Sequence, residues 1–272
     1  MKKILIISLF IILVIILIMI NDNKYKDYDL KMYFFDAGKA DAILIEKNNK
    51  YIMIDTGLYT LKDDILDYFK KNNIEELEYL IITHFDKDHV GSASYIINDI
   101  RVNNIIVTNT KKDSIYYDNY IEAIESKNIV PTVVEDSMNI NLEDLKIEVI
   151  GSKKVYEEDE SNNSSLIVSL RYNNNSFLFM GDSKKERIDD FINSNNKKYD
   201  FIKIPYHGKS IDNLDKLLDN IDSSYGVITC SNKEGCSNKT LKVLDKYDIK
   251  YYLTRNGDIY VYSNGKEIKI EQ

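Results

Sequence analysis

Short apolar runs of β-type composition alternate with segments of helical spacing along most of this chain. The runs at 31–35, 42–46 and 51–55 are rich in Ile, Tyr and Phe, which favours strands. The segment 61–71 instead repeats its apolar residues at helical spacing. Strands flanked by helices predict layered sheets with helices outside, and therefore a fold of the α/β class.

The same alternation continues to residue 262. The further predicted strands are 79–83, 104–107, 145–150, 165–172, 176–180, 201–204, 226–230, 251–254 and 258–262. The further predicted helices are 92–98, 114–127, 184–194, 211–218 and 239–247. Because no Gly, Ser or Pro-rich linker and no fixed-period repeat interrupts this pattern, it predicts one domain over residues 24–272.

Residues 1–23 have a different character. Lys2 and Lys3 precede an uncharged run at 4–20 in which Ser8 is the one polar residue. Such a run lies at the short end of what spans a bilayer, and no small-residue cleavage site follows it. We therefore expect an uncleaved, single-pass anchor in the cell membrane, with secretion after cleavage as the alternative. The two lysines would stay in the cytoplasm and place the domain outside.

The charge of the chain limits its partners. Lys and Arg total 36 against 44 Asp and Glu, a formal net charge of −8. A broad basic face for nucleic acid is therefore not expected. The acidic stretch 157–164 is interpreted as a solvated loop. No partner protein is evident from the sequence, and the membrane is expected to be contacted through the N-terminal helix.

Two cysteines lie close together, Cys230 and Cys236. Outside the cell a short disulfide closing this loop is feasible, because the count is even and the compartment is oxidising. Two unpaired thiols are the equal alternative. A metal site is less favoured, since nothing else in the segment completes a Cys and His ligand set.

The predicted strand 79–83 runs directly into His-Phe-Asp-Lys-Asp-His, which contains two of the three histidines of the chain. Alternate residues of an extended chain project to one side, so His84, Asp86 and Asp88 are expected to converge. His89 joins them if the chain then turns into a helix. Two imidazoles and two carboxylates at this spacing are typical of a transition-metal site. A solvated acidic turn would leave the histidines unexplained.

This cluster resembles the His-x-[His/Asp]-x-Asp-His signature of the metallo-β-lactamase superfamily. Its second ligand position is Asp, which is similar to the branch containing the extracytoplasmic hydrolase domain of the competence protein ComEC. Further segments that agree with this branch, in the same order, are 34–45, 52–57, 162–167, 179–182 and 203–208. Lys39 and Ala40 depart from its usual Gln-Gly, and Tyr206 replaces the first His of its His-His-Gly motif. The resemblance implies a four-layer αββα sandwich.

The resemblance also implies a centre for one or two divalent ions, Zn²⁺ or Mn²⁺. Its expected metal ligands are His84, Asp86, Asp88, His89, Asp182 and His207. Asp88 and His89 are also expected to be catalytic, with Asp88 orienting the attacking water. Asp55, Asn163 and Tyr206 are expected to support the ligands or to meet the substrate.

One usual ligand of the family is missing from this sequence. No His occurs between His89 and His207, and the corresponding position falls at 162–164, in Asn-Asn-Ser. Replacing imidazole with oxygen ligands weakens one of two sites and shifts the preference towards harder ions such as Mn²⁺.

The implied function is a metal-dependent hydrolase, most closely a phosphodiesterase or nuclease that uses metal-activated water. An anionic phosphodiester or nucleic acid would be its substrate. With one expected span, the chain does not form a DNA-conducting channel by itself. A non-catalytic, metal-binding surface module with an incomplete site stays open as the alternative, because of the missing His. Hydrolysis of β-lactams fits this motif set less well.

Overall fold

The computed structural model describes residues 25–272. The anchor predicted at 1–23 lies outside the described residues. Within 25–272, no helix combines the length and the apolar character needed to cross a membrane.

Strands make up most of the regular structure between residues 25 and 272. They are β1 (Leu30–Phe34), β2 (Ala42–Lys47), β3 (Lys50–Thr56), β4 (Glu76–Leu77), β5 (Tyr79–Ile82), β6 (Arg101–Val102), β7 (Ile105–Thr108), β8 (Thr132–Val134), β9 (Ser137–Leu142), β10 (Leu145–Ile150), β11 (Ile167–Tyr172), β12 (Asn175–Phe179), β13 (Phe201–Lys203), β14 (Tyr225–Ile228), β15 (Lys250–Leu253), β16 (Ile259–Ser263) and β17 (Ile268–Glu271). The α-helices are α1 (Lys62–Lys71), α2 (Lys87–Val90), α3 (Ala93–Asp99), α4 (Ile115–Ser126), α5 (Glu160–Asn163), α6 (Lys185–Ser194), α7 (Leu214–Ile221) and α8 (Asn238–Lys246).

Strands β4 and β6 pair with each other, and the other strands form two large mixed sheets. The first has the order β17-β16-β1-β2-β3-β5-β7-β8, and the second the order β15-β14-β13-β12-β11-β10-β9. In the first sheet β3, β5, β7 and β8 are parallel, and in the second β12, β13, β14 and β15 are parallel. Because carboxyl ends of parallel strands meet at one edge, the loops after β5, β12 and β13 are placed to build a site.

Three hydrophobic clusters separate the layers. Along β1, Met32 and Phe34 face the core between the two sheets, whereas Tyr33 faces the helices on the outer side of the first sheet. That outer core includes Phe69 of α1, and the matching core on the second sheet includes Leu217 of α7. The period-2 alternation of strand side chains therefore supplies both faces. The predicted αββα sandwich is confirmed.

Most predicted elements lie within two residues of their observed bounds, and the differences have local causes. The helix predicted at 211–218 is observed three residues later, as Leu214–Ile221. Strands β4, β6, β8, β9 and β17 were not predicted. In β9, the exposed face carries Ser137, Asn139 and Asn141, which are depleted in strands.

The interpretation of 157–164 as a solvated loop is wrong for its second half. This part forms the short helix α5, and Asn163 and Ser164 are both buried. The polar composition reflects hydrogen bonding inside the protein: the Ser164 hydroxyl contacts that of Thr110 at 2.9 Å, and the Ser164 carbonyl accepts from Thr108 at 2.7 Å.

Candidate metal centre

The loop after β5 carries the first ligands. Asp86 is extended, with φ −70° and ψ 148°, and the helical turn α2 begins at the next residue. The prediction of an extended chain through Asp88 is therefore wrong: Asp88 and His89 lie on the helical turn. Gly91 is required behind it, since a Cβ there would lie 2.4 Å from the Lys87 carbonyl oxygen and 2.5 Å from the Tyr59 amide nitrogen.

The other two ligands come from the second sheet. Asp182 follows β12 through Gly181, which has φ +53°, and His207 follows β13 in a left-handed conformation with φ 51°. The His207 carbonyl accepts a hydrogen bond of 2.9 Å from the Cys236 amide, which ties the strained residue to the cysteine loop.

That loop contains two thiols and no disulfide, so the unpaired alternative is the one observed. Cys230 and Cys236 are both buried. A hydrogen bond from Cys230 lowers the pKa of the Cys236 thiol to about 7.

Four buried side chains converge at this edge of the two sheets. The ligand atoms of Asp88, His89, Asp182 and His207 all lie within 4.8 Å of one another. Asp182 is central, because its Oδ1 lies 3.1 Å from His207 Nε2 and 3.4 Å from His89 Nε2. Asp88 Oδ2 lies 3.5 Å from His207 Nε2.

Hydrogen bonds orient each imidazole in the same way. His89 Nδ1 donates to Asp55 Oδ2 at 2.8 Å, and His207 Nδ1 donates to the Thr229 carbonyl at 3.1 Å. His84 Nδ1 lies 3.1 Å from Thr83 Oγ1, whose own proton goes to Asp55 at 2.7 Å, so the ring is the donor. In each neutral ring the lone pair is consequently on Nε2, the arrangement that metal-binding histidines use.

Four buried polar atoms face this centre without a hydrogen-bond partner among the described residues. They are Nε2 of His84, His89 and His207, and Oδ1 of Asp182. Leaving such atoms unpaired costs about 1 to 3 kcal/mol each. A divalent cation satisfies nitrogen lone pairs and carboxylate oxygens at once, and two imidazoles with two carboxylates suit Zn²⁺ or Mn²⁺. The residues present therefore fit a divalent ion.

The charges of the ligands depend strongly on one another. Burial by itself lowers the pKa of both His89 and His207, but Asp182 together with other carboxylates outweighs it. The pKa of His89 is raised well above its ordinary value, and that of His207 is raised to about 9. Burial by itself raises the pKa of Asp182, but the two imidazoles hold it well below its usual range. The carboxylates thus hold protons on the imidazoles until a cation replaces them.

His84 and Asp86 lie beside this group of four and not within it. Burial, and then the neighbouring His89, lower the pKa of His84 to about 3, so the ring is neutral. Asp86 Oδ2 lies 3.9 Å from His84 Nε2. The other oxygen, Oδ1, lies 2.7 Å from Lys112 Nζ and also accepts a hydrogen bond from Ser161 Oγ. The six predicted ligands therefore divide into one converged set and one pair.

Comparison with known families agrees with this geometry. The family model of the metallo-beta-lactamase superfamily matches residues 36–231. The chain belongs to the metallo-β-lactamase superfamily. The matched range covers the converged ligands and the loops that position them.

Two curated relatives share detectable sequence similarity. ComE operon protein 3 of Bacillus subtilis is 22% identical over 253 residues, which is 84% of this chain and 32% of the relative. Recombination protein 2 of Haemophilus influenzae is 26% identical over 199 residues, which is 71% of this chain and 23% of the relative. The chain thus spans about a third and a quarter of these proteins. The resemblance to the ComEC-type branch is confirmed.

Solved structures show the same fold. The metallo-β-lactamase fold protein YhfI from Bacillus subtilis has a TM-score of 0.55 at 10% identity, covering 82% of this chain and 96% of that one. CmlA, a diiron β-hydroxylase from Streptomyces venezuelae, has a TM-score of 0.53 at 12% identity, covering 83% of this chain and 53% of that one. At these identities the likeness concerns the fold alone.

The residues predicted around the ligands have different roles in this metallo-β-lactamase domain. Asp55 is fully buried and holds His89, as described above. Asn163 is directed elsewhere: its Nδ2 donates to Glu186 at 2.9 Å, and its Oδ1 accepts from the Lys184 amide at 3.0 Å. Its contacts place it at the start of α6. Tyr206 is half-buried beside His207.

Two further residues of the centre were missed by the sequence reasoning. Asp41 and Lys203 are both buried and form an ion pair. Asp41 Oδ1 lies 3.4 Å from His207 Nδ1, and Lys203 Nζ lies 3.9 Å from Asp182 Oδ1. Burial by itself raises the pKa of Asp41, but Lys203 and then His207 hold it below its usual range. The available signals were Asp41, one of two acidic residues in segment 34–45, and Lys203 at the end of the apolar strand β13.

Proposed function

We propose that this chain is a membrane-anchored, outward-facing metallohydrolase that cleaves phosphodiesters, with nucleic acid as a substrate class. The observation that carries the proposal is the convergence of imidazole nitrogens on Asp182 at one buried edge of the sandwich. The ComEC-type resemblance supports the choice of phosphodiesters over β-lactams.

The chain's own residues have distinct tasks in this chemistry. Asp88, His89, Asp182 and His207 would hold a divalent ion, which would supply Lewis acidity and lower the pKa of a bound water molecule towards neutrality. Asp88 is the least buried of these four ligands, and its carboxylate would also orient the attacking water. Neutral His84 offers its unpartnered Nε2 as a hydrogen-bond acceptor beside the four converged ligands.

Two lysines at the ligands favour an anionic substrate. Lys39 contacts Asp88 and keeps 19% of its side chain exposed, and Lys112 contacts Asp86 with 37% exposed. Burial by itself lowers the pKa of Lys39, but Asp88 and other carboxylates raise it, so the ammonium group stays charged. Such cations can stabilise the negative charge that develops on a phosphoryl group.

A second pair of lysines lies against Tyr206, the residue that precedes His207. Lys184 Nζ and Lys209 Nζ lie 4.9 Å and 4.8 Å from the centre of the Tyr206 ring. Three of these four lysines also pair with a carboxylate, Lys39 with Asp88, Lys112 with Asp86 and Lys184 with Asp159, so a polyanion would compete with those carboxylates for their charge. Together with Lys39 and Lys112, this pair supports contact with a polyanion near the scissile bond.

Membrane attachment and outward orientation are proposed from residues 1–23 alone. Lys2 and Lys3 ahead of the apolar run at 4–20 support a cytoplasmic N-terminus. Fractionation of cells, followed by protease treatment of intact cells, tests both parts. Recovery of the full chain in the membrane fraction and its digestion from outside are expected. A protease-resistant domain in intact cells would contradict the orientation.

Hydrolysis is tested with the purified full chain, bis(p-nitrophenyl) phosphate and single-stranded DNA, each with Mn²⁺ or Zn²⁺. We expect metal-dependent turnover that falls by about a hundredfold or more in His89→Ala and in Asp88→Asn, because each removes a ligand. Asp200→Asn is the matched control. Its carboxylate accepts hydrogen bonds from the Ser176 amide at 2.7 Å and hydroxyl at 3.0 Å, away from the ligands.

Equal turnover in wild type and both ligand variants would contradict the enzyme proposal. Metal bound at Asp88 and His89 without turnover on any phosphodiester or ester would favour the non-catalytic module. That second candidate is kept because the family's additional His is absent and Asp86 is engaged by Lys112.

A further inference from the structure

The two halves of the ligand set differ in what surrounds their carboxylates. On one side, the ligand atoms of Asp88, His89, Asp182 and His207 converge. On the other, His84 Nε2 and Asp86 Oδ2 lie 3.9 Å apart. Within residues 25–272, no further His, Cys, Asp or Glu ligand atom completes a convergent group with these two. Catalytic sites for such ions normally have three protein ligands, so the second position is short of one.

A cation of the chain already pairs with the carboxylate of this second position. Lys112 Nζ lies 2.7 Å from Asp86 Oδ1 and donates to Ser161 Oγ at 3.2 Å. Ser161 Oγ in turn donates to the same Asp86 oxygen. The three side chains come from three separated segments and form a closed triangle. A hydrogen-bonded ion pair of this kind holds the carboxylate by both charge and geometry.

We propose that the centre holds one divalent ion tightly and that the Lys112 ammonium group takes the place of a second. Where a two-metal site uses its second ion to stabilise charge on the substrate, Lys112 supplies a single fixed positive charge. A second divalent ion at His84 and Asp86 would have to displace this ammonium group or bind beside it. The inference rests on the metal centre of the proposed function and is independent of its substrate.

The comparison of Asp86 with Asp88 supports this assignment. Asp88 also contacts a lysine, Lys39, but three buried partner ligands surround it and draw an ion to that side. Among residues 25–272, Asp86 has one potential metal ligand beside it, His84, whose Nε2 lies 3.9 Å from Asp86 Oδ2. A divalent ion with a complete ligand set displaces a lysine from a carboxylate, because its affinity rises with the number of ligands. A divalent ion with an incomplete set binds more weakly, and the lysine then keeps the carboxylate.

The test is a Mn²⁺ titration of the metal-free full chain by calorimetry, with electron paramagnetic resonance of the loaded protein. We expect one tightly bound ion per wild-type chain and the spectrum of an isolated Mn²⁺. In Lys112→Met, Asp86 is released, and we expect a second ion and the signature of a spin-coupled pair. Ser161→Ala should raise the affinity for a second ion by a smaller factor.

Lys111→Met is the matched control. Lys111 is the exposed neighbour of Lys112, so this variant removes the same charge from the same loop without touching Asp86. It should bind one ion. Two tightly bound ions in the wild type would overturn the inference, and so would a single ion in Lys112→Met. A correct ion count with no hydrolysis would refute the proposed function and leave this inference standing.

Discussion

The hydrogen bond from His89 to Asp55 is the contact whose removal is most informative. Asp55 Oδ1 accepts from the Thr83 amide at 2.7 Å, and Oδ2 accepts from Thr83 Oγ1 at 2.7 Å and His89 Nδ1 at 2.8 Å. In Asp55→Asn, one oxygen becomes a donor. The new NH₂ group cannot replace Oδ1, because it would face the Thr83 N–H, which is also a donor. The NH₂ group therefore takes the position of Oδ2. It then donates to His89 Nδ1, which moves the ring proton to Nε2, facing Asp182.

The expected effect on metal binding can be sized from this geometry. A proton on Nε2 blocks the lone pair of one of four ligands. Removing the hydrogen-bond partner of a metal-binding histidine lowers metal affinity about 10 to 100-fold. That range corresponds to about 1.4 to 2.7 kcal/mol. The backbone contributes little to the effect, because Asp55 has φ 55° and Asn tolerates this conformation well.

The assay is a Mn²⁺ titration of the metal-free full chain by calorimetry, with nitrogen NMR of the His89 ring to read its tautomer. Asp200→Asn serves as the control, since it alters a carboxylate that accepts from a backbone amide and a hydroxyl of one residue, as Asp55 does. Its affinity for Mn²⁺ should match wild type. A folded Asp55→Asn protein with an affinity within twofold of wild type would refute the reasoning, as would a proton still on Nδ1.

Three further predictions follow from the site and its supports. Mn²⁺ affinity should rise with pH between 6 and 8, by about tenfold per unit for each proton released, because His89 and His207 have raised pKa values and must lose protons to bind. Calorimetry in buffers of different ionisation enthalpy counts those protons, and a flat affinity would contradict the charge assignment. Mn²⁺ at a hundredfold excess over its Kd should add about 2.7 kcal/mol to the free energy of unfolding, reversed by a chelator. Gly91→Ala should lower the free energy of unfolding by about 3 kcal/mol, because its Cβ meets backbone atoms at 2.4 Å and 2.5 Å. Gly226→Ala, with its nearest atom at 3.4 Å, should cost less than about 1 kcal/mol in the same denaturant experiment.

Local patterns accounted for most of the secondary structure and for the positions of the ligands along the chain. An apolar strand followed by His84 and Asp86 is visible without a structure, because strand burial and side-chain type are properties of adjacent residues. Strand β9 was missed because its exposed face is polar, whereas its backbone hydrogen bonds to β10 are tertiary contacts that strand composition does not reveal. The helical turn at Asp88 was missed for a related reason: α2 has four residues, too few for a periodic signal.

The sequence by itself determined the superfamily, the four-layer class and the residue types of a metal centre. Only the tertiary structure decided which of those residues contact one another and which converge on one site. It joined Asp41 to Lys203 across 162 positions of the chain, and Ser161 to Asp86 across 75. It also separated His84 and Asp86 from the four converged ligands. The physical reason is that charge pairing acts over a few ångströms in space whatever the separation in sequence. Lys39 and Lys203, which look like surface residues in the sequence, therefore became partners of the buried carboxylates of Asp88 and Asp41.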